Sequence, residues 1–155
     1  MCDILTWNET FMSMAETIAK RSKDPTTQVG AVIVDKANRV VGVGYNGFPR
    51  TPKGVQNDLI FPWSRTGETK ADTKYGYVIH SEMNAILNAT TNDLRGSTLY
   101  VTKFPCCNCA KIICQKGIEK IYYQGKIDED PNGRYCMPAS IKMFEACDID
   151  TKKLE

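Results

Sequence analysis

Apolar residues first recur at helical spacing early in the chain, where Phe11, Met14, Ala15, Ile18 and Ala19 fall on one stripe. Thr6-Trp7-Asn8-Glu9 precedes them in T-x-x-E order. In that order the threonine and glutamate side chains satisfy each other's free backbone N–H groups, so a helix is predicted from Thr6 to about Arg21. The pattern then changes period. Gln28 to Val34 is apolar and β-branched, Asp35-Lys36-Ala37-Asn38 forms a turn, and Val40 to Tyr45 runs back, which predicts a hairpin. Further on, Ser81 to Ala89 reads as a helix with Met83, Ala85, Ile86 and Leu87 able to face a core. Ser97 to Phe104 reads as a strand, and Cys106 to Gln115 as a helix closed by Gly117. Ile118 to Tyr123 is a strand, Met137 to Ala146 a helix, and Asp148 to Lys152 a last edge strand. Strands alternating with helices predict an α/β sheet covered on both faces.

Between these parts lies a long stretch, Asn46 to Tyr77, carrying Gly47, Pro49, Pro52, Gly54, Pro62 and Gly67 and little periodicity. A segment of that length without its own elements is usually functional. It is expected to hold a short helical turn and to cover or regulate a site.

At 155 residues the chain is read as one domain, residues 1–155. Apolar content of 42% and charged content of 25% are ordinary for a globular protein. A net charge of +2 with scattered basic residues gives no basic stripe, so no nucleic-acid partner is expected. No apolar run reaches the ~20 residues of a membrane span. The start, Met1 to Asn8, lacks the regions of a signal peptide. Seven cysteines, with Cys106, Cys107 and Cys109 crowded together, suit metal chemistry in a reducing compartment better than a disulfide framework, so a cytoplasmic location is expected.

The chemistry concentrates on the chain's only histidine. His80-Ser81-Glu82 is an H-x-E, and Pro105-Cys106-Cys107-Asn108-Cys109 supplies P-C-x-x-C. One imidazole and two thiolates are one ligand short of a closed structural zinc site, which leaves a position for water. A helix starting at the CxxC puts Cys106 and Cys109 at i and i+3 on one face, and its positive end favours thiolates. Pro105 favours an abrupt strand-to-helix turn. Cys107 falls off that face. Cys2, Cys114, Cys136 and Cys147 are not expected as ligands. Glu82, beside the metal but not bound to it, is placed to shuttle protons. The combination H-x-E…P-C-x-x-C is the signature of zinc nucleobase deaminases, in which hydroxide replaces an exocyclic amine at an amidine-like carbon. A bare CxxC could equally belong to a structural zinc.

With those residues in hand, the chain resembles the deoxycytidylate deaminases of the cytidine-deaminase superfamily over nearly its whole length. Lys20-Arg21-Ser22-Lys23-Asp24-Pro25, Gln28-Val29-Gly30-Ala31, Val43-Gly44-Tyr45-Asn46-Gly47, Asp72-Thr73-Lys74-Tyr75 and His80 through Ile86 carry the likeness beyond the zinc motif. The resemblance implies a three-layer α/β/α fold around a mixed five-stranded sheet. It implies one zinc per chain on His80, Cys106 and Cys109, with Glu82 as proton shuttle and Ser81 and Pro105 at the base. It places Asn46 near the sugar and the Ser22–Thr27 loop, with Ser22, Lys23, Thr26 and Thr27, at the 5′-phosphate. Bottom-up, Asn46 offers a donor and an acceptor but could also be a turn residue in the left-handed region. The loop offers hydroxyls and one point charge.

The sequence departs from the family in two places. Ser81 stands where alanine is usual, and Lys126-Ile127-Asp128, with Tyr135 further on, stands where some members set a tyrosine against the phosphate. The resemblance also implies a homo-hexamer that turns dCMP into dUMP and ammonia, activated by dCTP with Mg²⁺ and inhibited by dTTP. The loop from Gly47 to Tyr77 is the place to look for an effector pocket. Three alternatives compete with this reading: deamination of dCTP also or instead, a deaminase of bases within nucleic acid, and a non-catalytic zinc module.

Overall fold

The computed structural model describes residues 3–127 and 135–155. Five strands form one sheet: β1 (Gly30–Val34), β2 (Val40–Tyr45), β3 (Thr98–Val101), β4 (Lys120–Tyr123) and β5 (Asp150–Lys153). Their order is β2-β1-β3-β4-β5. The first two ladders from the β2 edge are antiparallel and the next two parallel, so the sheet is mixed, as the resemblance implied. β1, a continuous Gly-Ala-Val-Ile-Val run, is buried along its length because helices cover both its faces. β5 is exposed throughout and closes the far edge.

Helix α1 (Trp7–Ala19) begins on the expected capping box: the Thr6 N–H donates to Glu9 Oε2 at 2.6 Å, and the Glu9 N–H to Thr6 Oγ1 at 3.3 Å. Phe11, Met12 and Ala15 pack on Val32, Val34 and Tyr100. The approach is close, since a Cβ on Gly30 would lie 2.0 Å from the Ala15 carbonyl oxygen. The opposite face carries α2 (Ser81–Leu87), α3 (Cys107–Gln115) and α4 (Met137–Ala146), packed over Ala31, Ile33, Leu99, Val101 and Ile121. There a Cβ on Gly44 would meet the Ser81 carbonyl oxygen at 2.4 Å, so α2 lies directly on β2. The three layers follow from this arrangement. Gly117, with φ +70°, ends α3 as expected, past Lys116.

The sequence reading overran several boundaries. Helix α1 stops at Ala19, α2 at Leu87, and β3 spans only Thr98–Val101. β1 starts at Gly30 because the Val29 N–H is taken by the Asn46 side chain, at 2.8 Å, instead of by a strand. Leu87, assigned to the core, is 68% exposed: α2 sits over the β2 edge and its last residue overhangs the sheet. The stretch 46–77 holds three short 3₁₀ turns, at Asn57–Leu59, Lys70–Asp72 and Lys74–Gly76. It is pinned to the site by reciprocal Gly47–Ile79 backbone bonds and stiffened by tilted ring contacts among Phe48, Phe61, Trp63 and Tyr77. Among the described residues, no helix is long and apolar enough to cross a membrane.

Candidate active site

Two helix starts converge where the sequence placed the chemistry. His80 is the N-cap of α2 and Cys106 the N-cap of α3, with Cys109 in the first turn of α3. Pro105, fully buried, makes the turn from β3 into α3. His80 Nδ1 lies 3.4 Å from Cys106 Sγ and 3.5 Å from Cys109 Sγ. Nitrogen and sulfur at two corners of a tetrahedral zinc site stand about 3.6 Å apart, given Zn–N of about 2.05 Å and Zn–S of about 2.3 Å. The three side chains therefore fit zinc as they stand. Among the described residues they are the only cluster of three or more histidine, cysteine or acidic groups that could hold a metal.

Electrostatics favour the same reading. A hydrogen bond with the Cys109 thiol, and then the His80 ring, holds Cys106 down at about 4 despite its burial. The bond to Cys106 raises His80 in turn. Cys109 is pushed up by its bond to Cys106, by burial and by the Glu82 charge, and a bound metal would hold both sulfurs as thiolates. Cys107 stands outside this cluster, its backbone N–H donating to the Tyr135 carbonyl at 2.9 Å. Cys114, Cys136 and Cys147 also lie outside it, and Cys2 lies outside the described residues.

Glu82 is 4% exposed, and burial raises its carboxyl above the ordinary 4.5. Such a group holds and releases a proton closer to neutrality, as a general acid–base must. It opens on a cleft together with His80, Cys106 and Ser81. The apolar lining is Val29, Val78, Phe104 and Met137.

The polar wall opposite is a network. Lys74 and Asp24 form a buried ion pair at 2.5 Å, and the Lys74 ammonium also donates to Thr26 Oγ1 at 2.8 Å. Burial alone would raise Asp24, but Lys74 and the bonds from Thr26 and Thr27 together bring it below its ordinary 3.8. The Asn46 amide donates to the Thr27 carbonyl at 2.9 Å and to Asp24 Oδ2 at 3.3 Å while its oxygen accepts from Val29. Both donors are thus spent, and Asn46 can offer a ligand only an acceptor lone pair. Nor is it a left-handed turn residue: among the described residues, the non-glycine positions with positive φ are Asn38, Cys136 and Asp148.

The predicted substrate residues divide. Thr27, Asn46 and Ser81 line the cleft, whereas Ser22, Lys23, Thr26 and Pro105 do not. Ser22 is buried behind it, its hydroxyl donating to the Asn46 carbonyl at 2.7 Å. Thr26 holds Lys74, and Lys23 is exposed and paired with Asp58. Sequence reasoning missed Arg65, Lys74, Tyr75, Lys103 and Tyr135, all of which line the cleft. Lys74 and Tyr75 stand in Asp72-Thr73-Lys74-Tyr75, and Lys103 two residues before Pro105, so position carries a signal. Arg65 had none, in a stretch without periodicity. Tyr135 supplies a phenol where Lys126 and Ile127 do not line the cleft, and Asp128 lies outside the described residues.

Comparison with known proteins agrees with this geometry. The family model described as the cytidine and deoxycytidylate deaminase zinc-binding region matches residues 5–125. Deoxycytidylate deaminase of Mus musculus is 51% identical over 121 residues, covering 78% of this chain and 66% of that protein. The chain thus spans just under two thirds of that mammalian relative. A Drosophila melanogaster protein named "Probable deoxycytidylate deaminase" is 45% identical over 157 residues, covering 97% of this chain and 73% of that one. Among solved structures, the dCMP deaminase of cyanophage S-TIM5 in complex with dCMP and dUMP superposes with a TM-score of 0.68 at 25% identity, covering 94% and 95% of the two chains. The convergent His80, Cys106 and Cys109, the buried Glu82 and a family match over most of the length lead to one conclusion: this chain belongs to the cytidine and deoxycytidylate deaminase zinc-binding family.

Proposed function

We propose that this protein hydrolyses dCMP to dUMP and ammonia. The observation that carries the reading is the buried Glu82 carboxylate opening, beside the His80–Cys106–Cys109 cluster, into a cleft walled by Arg65, Lys74 and Lys103. Zinc on His80, Cys106 and Cys109, one ion per chain, would supply an acidified water when bound. Glu82 takes a proton from the attacking water and delivers it to the pyrimidine N3. The water oxygen adds at C4, and Glu82 then takes the remaining proton of that C4 hydroxyl and passes it to the amine, which leaves as ammonia, so that carbonyl replaces amine. Asn46 accepts from a sugar hydroxyl. Arg65 and Lys103, with Tyr75 and Tyr135, face the 5′-phosphate, for which guanidinium and ammonium groups are suited.

The reading takes residues 1–155 as one deaminase domain, supported by the two apolar clusters sharing a single sheet. Free Cys106, Cys107, Cys109, Cys114, Cys136 and Cys147 support a reducing, cytoplasmic setting. Activation by dCTP with Mg²⁺, inhibition by dTTP and a homo-hexamer belong to the same proposal and rest on the family resemblance alone. The test is loss of cytosine absorbance with dCMP, dCTP, cytidine and deoxycytidine, each with and without dCTP or dTTP as effector. Turnover preferring dCMP is expected. Turnover of none of them would overturn the reading, and a preference for dCTP would replace the substrate.

A further inference from the structure

Beside the proton shuttle, the chemistry above leaves a buried hydroxyl without a task. Ser81 is the first residue of α2, between His80 and Glu82, and it is 0% exposed. Its Oγ donates to Glu82 Oε2 at 2.8 Å. Its backbone has no room to drift, because α2 lies directly on β2 at Gly44. A carboxylate taken out of water loses its solvent hydrogen bonds and needs protein donors in their place. Among the described residues, Ser81 is the hydroxyl that supplies one to Glu82.

We propose that Ser81 is a positioning residue: its hydroxyl fixes one oxygen of the Glu82 carboxylate and so sets the direction in which the other relays the proton. The proposal rests on the proton-shuttle reading of Glu82 and goes beyond it, since the H-x-E motif asks only for a backbone at this position. A carboxylate free to swing about its side-chain torsions spends time off the line between water and ring nitrogen. Proton relay in the transition state is steeply sensitive to that misplacement, whereas ground-state binding of the nucleotide is not. A positioning defect therefore falls on kcat and leaves KM alone.

Ser81→Ala tests this in the zinc-loaded protein, with zinc content and melting temperature measured beside dCMP kinetics. The expected result is kcat lower by about tenfold or more, the scale of one lost hydrogen bond to a charged group, with KM within about twofold and zinc retained. In a Glu82→Gln background the same change should cost nothing further, because the hydroxyl acts only through the carboxylate. A kcat within twofold of the unmodified protein would overturn the proposal. So would a raised KM at unchanged kcat, which would make the hydroxyl a direct substrate contact, or an equal loss in both backgrounds. Loss of zinc or of melting temperature that tracks the loss of kcat would reduce Ser81 to a structural part. If the unmodified protein deaminates no cytosine compound, the proposed function falls and takes this proposal with it. If it is active and Ser81→Ala matches it, this proposal alone falls.

Discussion

His80, Glu82, Cys106 and Cys109 stand on the first turns of two helices laid on a buried sheet, whereas Arg65, Lys74 and Tyr75 stand on a segment with no ladder and three short 3₁₀ turns. The first group is held by main-chain geometry and close packing, as Gly44 against Ser81 shows. The second is held by side chains, above all the buried Asp24–Lys74 pair and the tilted ring cluster of Phe48, Phe61, Trp63 and Tyr77. On the proposed reading, chemistry is thus fixed by rigid elements, and recognition is set by a wall that a few substitutions could re-aim. If that contrast is right, damage on the two sides should look different.

The largest effect belongs to the rigid side. His80→Ala or Cys109→Ala should lose zinc and all measurable deamination, because a three-ligand site has no spare. Elemental analysis finding full zinc in either variant would break the assignment.

Next comes the clasp of the wall. Lys74→Met strands a buried carboxylate, and removing one partner of such a pair costs about 3–5 kcal/mol. Denaturant titration should show that loss; less than about 1 kcal/mol would mean the wall is held by something else. The same pair predicts a pH dependence. The folded-state pKa of Asp24 lies below 3.8, so its stabilisation is present above that value and is lost as pH falls through the lowered one. Asp24→Asn should flatten the acid limb of the stability curve. An unchanged acid limb would contradict the pairing.

Smaller and selective effects are expected at the cations. Arg65→Ala and Lys103→Ala should each lower kcat/KM for dCMP by about tenfold while leaving deoxycytidine nearly unchanged, since only the nucleotide presents the phosphate charge. Equal losses on both substrates would move these residues away from the phosphate. The smallest effect is at Lys23, exposed and paired with Asp58 outside the cleft. Lys23→Ala should change stability by less than about 1 kcal/mol and dCMP use by less than about threefold. A tenfold loss would restore the phosphate role that the sequence gave it.

The contrast also governs what could be read without coordinates. The CxxC at i and i+3, the capping box at Thr6 and the apolar run of β1 are short-range patterns; the first two stand where their patterns placed them, and β1 lies within its run, starting at Gly30 and not at Gln28. Lys74 reaches Asp24 across 50 positions, and Tyr135 enters the cleft through a segment without periodicity. No local spacing encodes such meetings. Asn46 shows the intermediate case. Its presence at the site was legible, but the saturation of its donors by Thr27 and Asp24 depends on a loop folding back from 19 and 22 positions away. Leu87 failed for a related reason, since helical spacing gives the face of a helix but not where the sheet beneath it ends.

The central claim is that Glu82 moves the proton while others hold the metal, and Glu82→Gln tests it most directly. The amide keeps the size and can still accept from Ser81 but cannot relay a proton. Zinc content and dCMP turnover measured on the same preparation should show zinc retained and kcat lower by at least ~10²-fold, the usual scale of general acid–base catalysis. Zinc retained with turnover near that of the unmodified protein would contradict the account.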